Sequence, residues 1–227
     1  MFDTSLKESL LEIPDLPNLL RDLHETLDDE QRRRLEFREW LTEDIKAEFI
    51  FGQVVMHSPA AHEHNEANGQ LYRVASLYAD VKKLGKVLIE KALVGMTRND
   101  YEPDLAFWKK EKADRFSPKM NVYPIPDLVV EVLSPGSANI RRDTKTKFED
   151  YASHGVAEYW IIDPDKKTVE QYLLIEGYPG GYELQRKVGI DDSIESVEMQ
   201  GFKIPVRAIF EAEANAQAIA ALLHLPL

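Results

Sequence analysis

The sequence contains no cysteine. That absence rules out a disulfide scaffold and thiol chemistry, and it suits a reducing cytoplasm, where the protein is expected to reside. No run approaches the roughly 18 apolar residues of a membrane span, so no membrane contact is expected. The opening MFDTSLKESLLEIPDLPNLL lacks the basic start and apolar core of a signal peptide. No glycine-rich loop of the kind that cradles phosphates is visible. Basic charge is also in short supply: 28 Lys plus Arg stand against 40 Asp plus Glu, a formal net charge of −12. Nucleic-acid binders usually carry a basic surface, so binding to DNA is expected to be weak. It would centre on three local patches, Arg32-Arg33-Arg34, Lys109-Lys110, and Arg141 through Lys147.

Chemistry concentrates instead in PDLVVEVLSPGSANIRRDTKTKFEDYASHGVAEYWIID, from Pro126 to Asp163. On a strand, side chains alternate faces, so Asp127, Val129, Glu131 and Leu133 share one side and Leu128, Val130 and Val132 the other. Two carboxylates on an otherwise apolar strand are costly to bury without partners, and a cation would relieve that cost. Ser-Pro-Gly ends the strand. From about Ala138 to His154 the spacing is helical, with Ile140, Phe148, Tyr151 and Ala152 as apolar face and Gly155 as stop. Asp143, Lys147 and Tyr151 fall at i, i+4 and i+8, one stripe of that helix. The apolar run Glu158 to Asp163 predicts a further strand, with Tyr159 and Trp160 as core aromatics.

A second Pro-Asp pair opens the short apolar strand beginning at Asp104. If the two strands are neighbours, Asp104 and Glu131 converge on one ion. Few, hard oxygen ligands favour Mg²⁺ or Mn²⁺ over structural zinc. Each residue also has a plainer explanation. Asp104 and Asp127 are ordinary turn chemistry, Glu131 pairs with Arg141 or Arg142, and Lys147 is a solvated lysine paired with Asp143. His57, His62 and His64 lack the spacing of a ligand pair and read as loop and helix-start residues.

The order Asp104, then Glu131-Val132-Leu133, then Lys147 resembles the PD-(D/E)XK nuclease superfamily. PDLVVEVLSP, the Lys147-to-Tyr151 helix and GVAEYWIIDP are similar to the Uma-two family of restriction-endonuclease-like proteins, over roughly Glu43 to Phe210. That resemblance implies a Mg²⁺-dependent (or Mn²⁺-dependent) DNA endonuclease. Its metal would sit on Asp104 and Glu131, with Asp127 as a further ligand or a strand-opening residue, and its catalytic set would be Asp104, Glu131 and Lys147. Leu133 stands where the superfamily has lysine, so the resemblance moves that role to the following helix, to Lys147 or, failing that, Lys145. For the first-helix acid it offers Glu48, Glu63 and Glu66, and for a helix-start histidine, His64.

The fold class expected is α/β, a restriction-endonuclease-like mixed core sheet flanked by helices. Residues 1–42 would form a helical extension serving as a dimer contact, and residues 43–227 the nuclease domain. A hairpin turning at Phe51-Gly52, a helix from Glu63 to Leu84 closed by Gly85, and strands at 86–93 and 104–109 precede the motif. The loop from Trp108 to Pro126 is expected to border a substrate groove. Strands at 168–175, 181–187 and 196–199 and an alanine-rich helix from Phe210 to Leu223 follow. A homodimer is expected, since cutting two strands is simplest with a two-fold. The alternatives are a nuclease fold that has lost catalysis and serves as a binding or assembly module, and a hydrolase of small phosphate esters.

Overall fold

The two strands that open on Pro-Asp lie side by side. Leu105–Lys109 pairs antiparallel with Leu128–Val132, Leu105 opposite Val130 and Phe107 opposite Leu128. The computed structural model describes residues 4–42, 44–134, 141–175 and 181–224. In chain order its strands are β1 (Ala47–Ile50), β2 (Gln53–Met56), β3 (Gly85–Ile89), β4 (Leu93–Gly95), β5 (Asp100–Tyr101), β6 (Leu105–Lys109), β7 (Val122–Tyr123) and β8 (Leu128–Val132). They continue as β9 (Glu158–Asp163), β10 (Thr168–Leu174), β11 (Tyr182–Val188), β12 (Ser193–Glu195) and β13 (Lys203–Pro205). The helices are α1 (Thr4–Leu11), α2 (Leu16–Trp40), α3 (His62–Lys82), α4 (Lys110–Ala113), α5 (Lys147–Ser153) and α6 (Ala212–Leu223).

A six-stranded mixed sheet runs in the order β11-β10-β9-β8-β6-β3, with β8 and β9 parallel and the other pairs antiparallel. The period-two alternation on β8 divides its faces as expected. Leu128, Val130 and Val132 join Leu105, Phe107, Trp160 and Ile162 in a core shared with α3 and α6. Val129 faces the other way, with Ala106, Trp108, Tyr159 and Ile161, toward Tyr151 of α5 and Val94 and Tyr101 of a second sheet ordered β2-β1-β5-β4-β7. Glu131 shares this second face, enclosed between two layers.

Several expectations need correction. The helix-ending left-handed residue is Lys83, at φ 57, not Gly85. Gly85 is needed because a Cβ there would lie 1.9 Å from the Trp108 carbonyl oxygen. The helix after β8 is not α-helical throughout, because Arg142–Thr146 is a π-helical turn in which Lys147 N–H donates to Arg142 O. Ala138, Asn139 and Ile140, and Pro135-Gly136 before them, lie outside the described residues. Residues 196–199 form a turn rather than a strand. There Ser196 Oγ and the Val197 and Glu198 N–H groups donate to the buried Glu158 carboxylate, which also accepts from Trp160 Nε1 and Gln171 Nε2. Two of these five donors are the turn's own backbone N–H groups, which are thereby unavailable to a strand ladder.

The loop after β6 folds away from the carboxylates. It carries α4 and β7 and packs Phe116 edge-on and Tyr123 at a tilt against Trp108, with ring centroids 5.5 Å away in each case. α2 docks by its C-terminal half: Phe37 packs on Phe49, and buried Arg34 donates to Asp100 and to the carbonyls of Met96, Thr97 and Asn99.

Candidate active site

Because β6 and β8 run antiparallel, Asp104 just before β6 lies beside the far end of β8, and the Val132 N–H donates to Asp104 Oδ2 at 2.9 Å. The same strand geometry carries Asp127, at the start of β8, to the opposite end of the sheet. There it accepts the Lys109 N–H at 2.7 Å and pairs with Lys112 at 2.9 Å. The shared face of Asp127 and Glu131 is real, but four residues of strand separate them by about 13 Å. Asp127 is a strand-opening residue held by the loop it follows. That loop contributes no residue to the lining of the carboxylate cleft.

The cleft holding the carboxylates has a volume of about 830 Å³. At its base Lys147 is 1 % exposed, with its Nζ 2.8 Å from Glu48, 3.1 Å from Glu131 and 3.6 Å from Asp143. The π-helical turn sets this geometry, and the Tyr159 hydroxyl anchors it by donating to Asp143 O at 2.9 Å. Tyr151, one turn on, donates to the same Glu131 Oε1 that Lys147 engages. The stripe Asp143, Lys147, Tyr151 therefore points inward as a unit, and Lys147 is not the solvated lysine of the plainer explanation. Nor does Glu131 pair with Arg141 or Arg142.

His64, in the first turn of α3, places Nε2 3.1 Å from Asp104 Oδ2, and Lys46 places Nζ 3.1 Å from Oδ1. Of the three acids offered for the first-helix position, Glu48 is the one brought into the cluster, from β1 rather than from a helix. It contacts Lys147 and, through its other oxygen, His57 Nε2 at 3.1 Å, while Glu63 and Glu66 are exposed. Lys145 is exposed too, lining a different cleft. Sequence reasoning passed over three residues of this cleft. Lys46 carried no signal apart from its place ahead of β1. His57 was set aside on spacing within the His57–His64 cluster, whereas its partner lies across the β1–β2 hairpin. Glu102, two residues before Asp104, lines the cleft and accepts from Lys91 at 2.7 Å and from the Ala47 N–H at 3.1 Å.

Charge is out of balance here. Burial alone would push the Lys147 pKa down, yet Glu131, Glu48 and Asp143 outweigh it and hold the ammonium well above its ordinary value. Burial pushes Glu131 well above the usual carboxylate range, and repulsion from Asp143, Asp104 and Glu48 adds to the rise against the pull of Lys147. Asp143 is raised for the same first reason. Burial opposes ionisation of Glu48 as well, but Lys147 and His57 hold it at about 2. Asp104 is likewise depressed despite burial, by His64, Lys46 and Lys147. Buried acids thus outnumber the cations beside them, and two of the acids resist ionising.

A family model named Uma2, described as "Putative restriction endonuclease", matches residues 34–207. The chain belongs to the Uma2 family. The Uma2 match begins inside α2 and ends just short of α6, so it spans both sheets and every cleft residue. The fold is similar to that of "a putative nuclease belonging to DUF820" from Anabaena variabilis ATCC 29413. The TM-score is 0.63 at 17 % identity, over 77 % of this chain and 95 % of that one. The type IIG restriction endonuclease BpuSI aligns at a TM-score of 0.38 and 11 % identity, over 74 % of this chain and 18 % of that one. No curated protein matches the chain. This Uma2 chain therefore has the restriction-endonuclease-like α/β fold, a mixed sheet flanked by helices. No helix of the described residues is long and apolar enough to cross a membrane.

Proposed function

We propose that the chain is an endonuclease that hydrolyses DNA phosphodiester bonds with a divalent cation, Mg²⁺ or Mn²⁺. The observation that carries this reading is the meeting of Asp104 and Glu131 at one end of adjacent strands, with Lys147 buried against Glu131. The donor set fits a hard cation: it is all carboxylate, and the buried acids of the cluster outnumber the cations beside them. Among the described residues no three His, Asp or Glu side chains close around one point. Mg²⁺ is typically held by one or two carboxylates together with water and substrate phosphate, so two ligands suffice for this reading. Asp104 and Glu131 would hold the ion.

Bound there, the ion would polarise a phosphate and lower the pKa of an attacking water. His64 and Lys46 fix the Asp104 carboxylate by contacts to its two oxygens, and Tyr151 fixes that of Glu131. A lysine beside the ligands could either position the attacking water or deprotonate it. The raised pKa of Lys147 supports positioning, with the ammonium also countering charge that develops on the phosphate. Incubation with supercoiled plasmid tests the proposal. Nicked or linear product is expected with Mg²⁺ or Mn²⁺ and none with EDTA. Unchanged cleavage in EDTA would refute it. A chain that binds but never cleaves, whatever the metal, would be the binding module instead.

We also propose that the chain works as a two-fold dimer through the outer half of α2. Leu20, Leu23 and Leu27 are exposed, and they continue the three-four spacing of Glu30, Arg34 and Phe37, which are buried against the body of the protein. A second copy of α2 would continue that seam. Sedimentation should give a dimer for the natural chain and a monomer for Leu23→Asp with Leu27→Asp. A monomeric natural chain would end this part of the proposal.

A further inference from the structure

The basic patches legible in the sequence are mostly spent on internal partners. Arg32 and Arg33 pair with Asp29, Arg34 with Asp100, Lys109 with Glu198 and Lys110 with Asp114. Among the described residues Arg141, Arg142 and Lys145 have no ion-pair partner. These three stand beside the cleft. Arg142 lines both the carboxylate cleft and a neighbouring one of about 670 Å³, which Arg141, Thr146, Phe51 and Gln53 also line. A third cleft of about 350 Å³ shares Phe51, Arg141 and Thr146 and adds Lys145 and Glu149. The three form a connected path from the carboxylates to the tip of the β1–β2 hairpin.

At that tip Phe51 is 53 % exposed and adopts φ 46. With Gly52 at φ 79 it makes the two-residue hairpin turn in which both central residues are left-handed, positions where asparagine and glycine are usual. A bulky side chain is disfavoured in that conformation, and this one recovers little by burial. The ring is nonetheless held in place. The Arg98 guanidinium lies 5.2 Å from its centroid, and Arg98 is itself fixed by two hydrogen bonds to Glu30, at 2.7 and 2.9 Å. A strained, exposed and braced aromatic at the end of a path of arginines without ion pairs fits a surface shaped by what it binds.

We propose that Phe51 is a stacking platform for an unpaired base of a nucleic-acid strand whose phosphates run from the carboxylate cleft past Arg142 and Arg141. The inference rests on the proposed reaction and specifies its substrate class: a single-stranded segment, flap or junction rather than uninterrupted duplex. A base offers its face to a side chain only when it leaves the stack, and arginine suits the phosphate geometry. Glu149, lining the third cleft, would repel phosphate and so mark where the path ends.

The test is fluorescence anisotropy of the full chain in EDTA, with a short labelled oligodeoxythymidylate, the same length of duplex DNA, and oligouridylate as the RNA arm. The natural chain should bind the single strand about tenfold more tightly than the duplex. Phe51→Gly should lose about tenfold or more of single-strand affinity, in line with the worth of one base–aromatic stack. Because glycine relieves the left-handed strain, that variant should melt no lower than the natural chain, so lost binding cannot be lost folding. Phe51→Trp should retain binding. Equal affinity for duplex and single strand, unchanged binding by Phe51→Gly, or no binding of any oligonucleotide would overturn the proposal. Plasmid nicking that depends on Lys147 but is accompanied by unchanged Phe51→Gly binding would sink the platform and leave the reaction standing. Phe51-dependent binding without any cleavage would do the reverse.

Discussion

Glu131→Gln is expected to abolish metal-dependent cleavage, by at least about a hundredfold since even loss of a metal ligand's partner costs about 10–100-fold, while leaving the fold intact. Glutamine keeps the shape and can still meet Lys147 and Tyr151, but it cannot offer an anionic oxygen to a cation. Its effect on stability has the opposite sign. The Glu131 carboxyl is raised well above its ordinary 4.5 by burial and by its acidic neighbours. In the metal-free protein the native state therefore keeps a proton that the unfolded chain has lost over the interval above pH 4.5. Stability contributed by this group falls as pH rises through that interval. Glutamine does not titrate, so in EDTA the variant should match the natural chain below pH 4.5 and melt higher near neutrality. Scanning calorimetry across pH checks the second statement and plasmid cleavage the first. Retained cleavage would remove Glu131 from the site.

Lys147→Met is expected to fail in both respects. Methionine fills the volume but leaves Glu48, Glu131 and Asp143 facing one another without the ammonium between them. Removing one partner of a buried charge cluster costs about 3–5 kcal/mol. The pH window follows from the shifts. The Lys147 pKa is raised above 10.5, so its stabilisation is complete below 10.5 and is lost as pH climbs through the folded value. Glu48 is lowered from 4.5 to about 2, so its share is present above 4.5 and disappears as pH falls toward 2. Urea unfolding should therefore show the largest deficit between about pH 4.5 and 10.5 and a smaller one below, where the acids protonate. Divalent cation should raise the melting temperature of Lys147→Met more than that of the natural chain, since it supplies the missing charge. A deficit that ignored both pH and cation would mean that packing, not charge, is what Lys147 provides.

How much of this was legible beforehand depended on the range of each signal. The β8 alternation, the stripe Asp143-Lys147-Tyr151, the Phe51-Gly52 turn and the Gly155 stop are local patterns, and the fold preserves all of them, though the stripe's inward direction comes from packing alone. Adjacency of β6 and β8 is a condition the sequence leaves open, and only the observed pairing supplies it. What escaped was anything set by strand direction or by contacts across sheets. Asp127 and Glu131 share a face in any strand, but only the antiparallel pairing shows that Asp104 meets Glu131 and that Asp127 does not reach it. Glu48 and His57 meet across a hairpin, so no helical spacing could join them. The π-helical turn depends on one shifted hydrogen bond, which side-chain periodicity does not register. The turn at 196–199 exists to serve Glu158, some forty residues earlier, and its own residues resemble a strand well enough to mislead.

Arg34 has a consequence for how the molecule comes apart. Five hydrogen bonds from one guanidinium reach Asp100 and three carbonyls of the segment 96–99 that joins β4 to β5, and Arg38 adds two more to Asp100. Asp100 is wholly buried, so peeling α2 away strips the counter-charge from the centre of the second sheet. The helix that reads as an extension is thereby tied to the cooperative unit: fraying can begin at its leucine-lined outer half, but it halts over residues 30–34 until the sheet behind it opens as well.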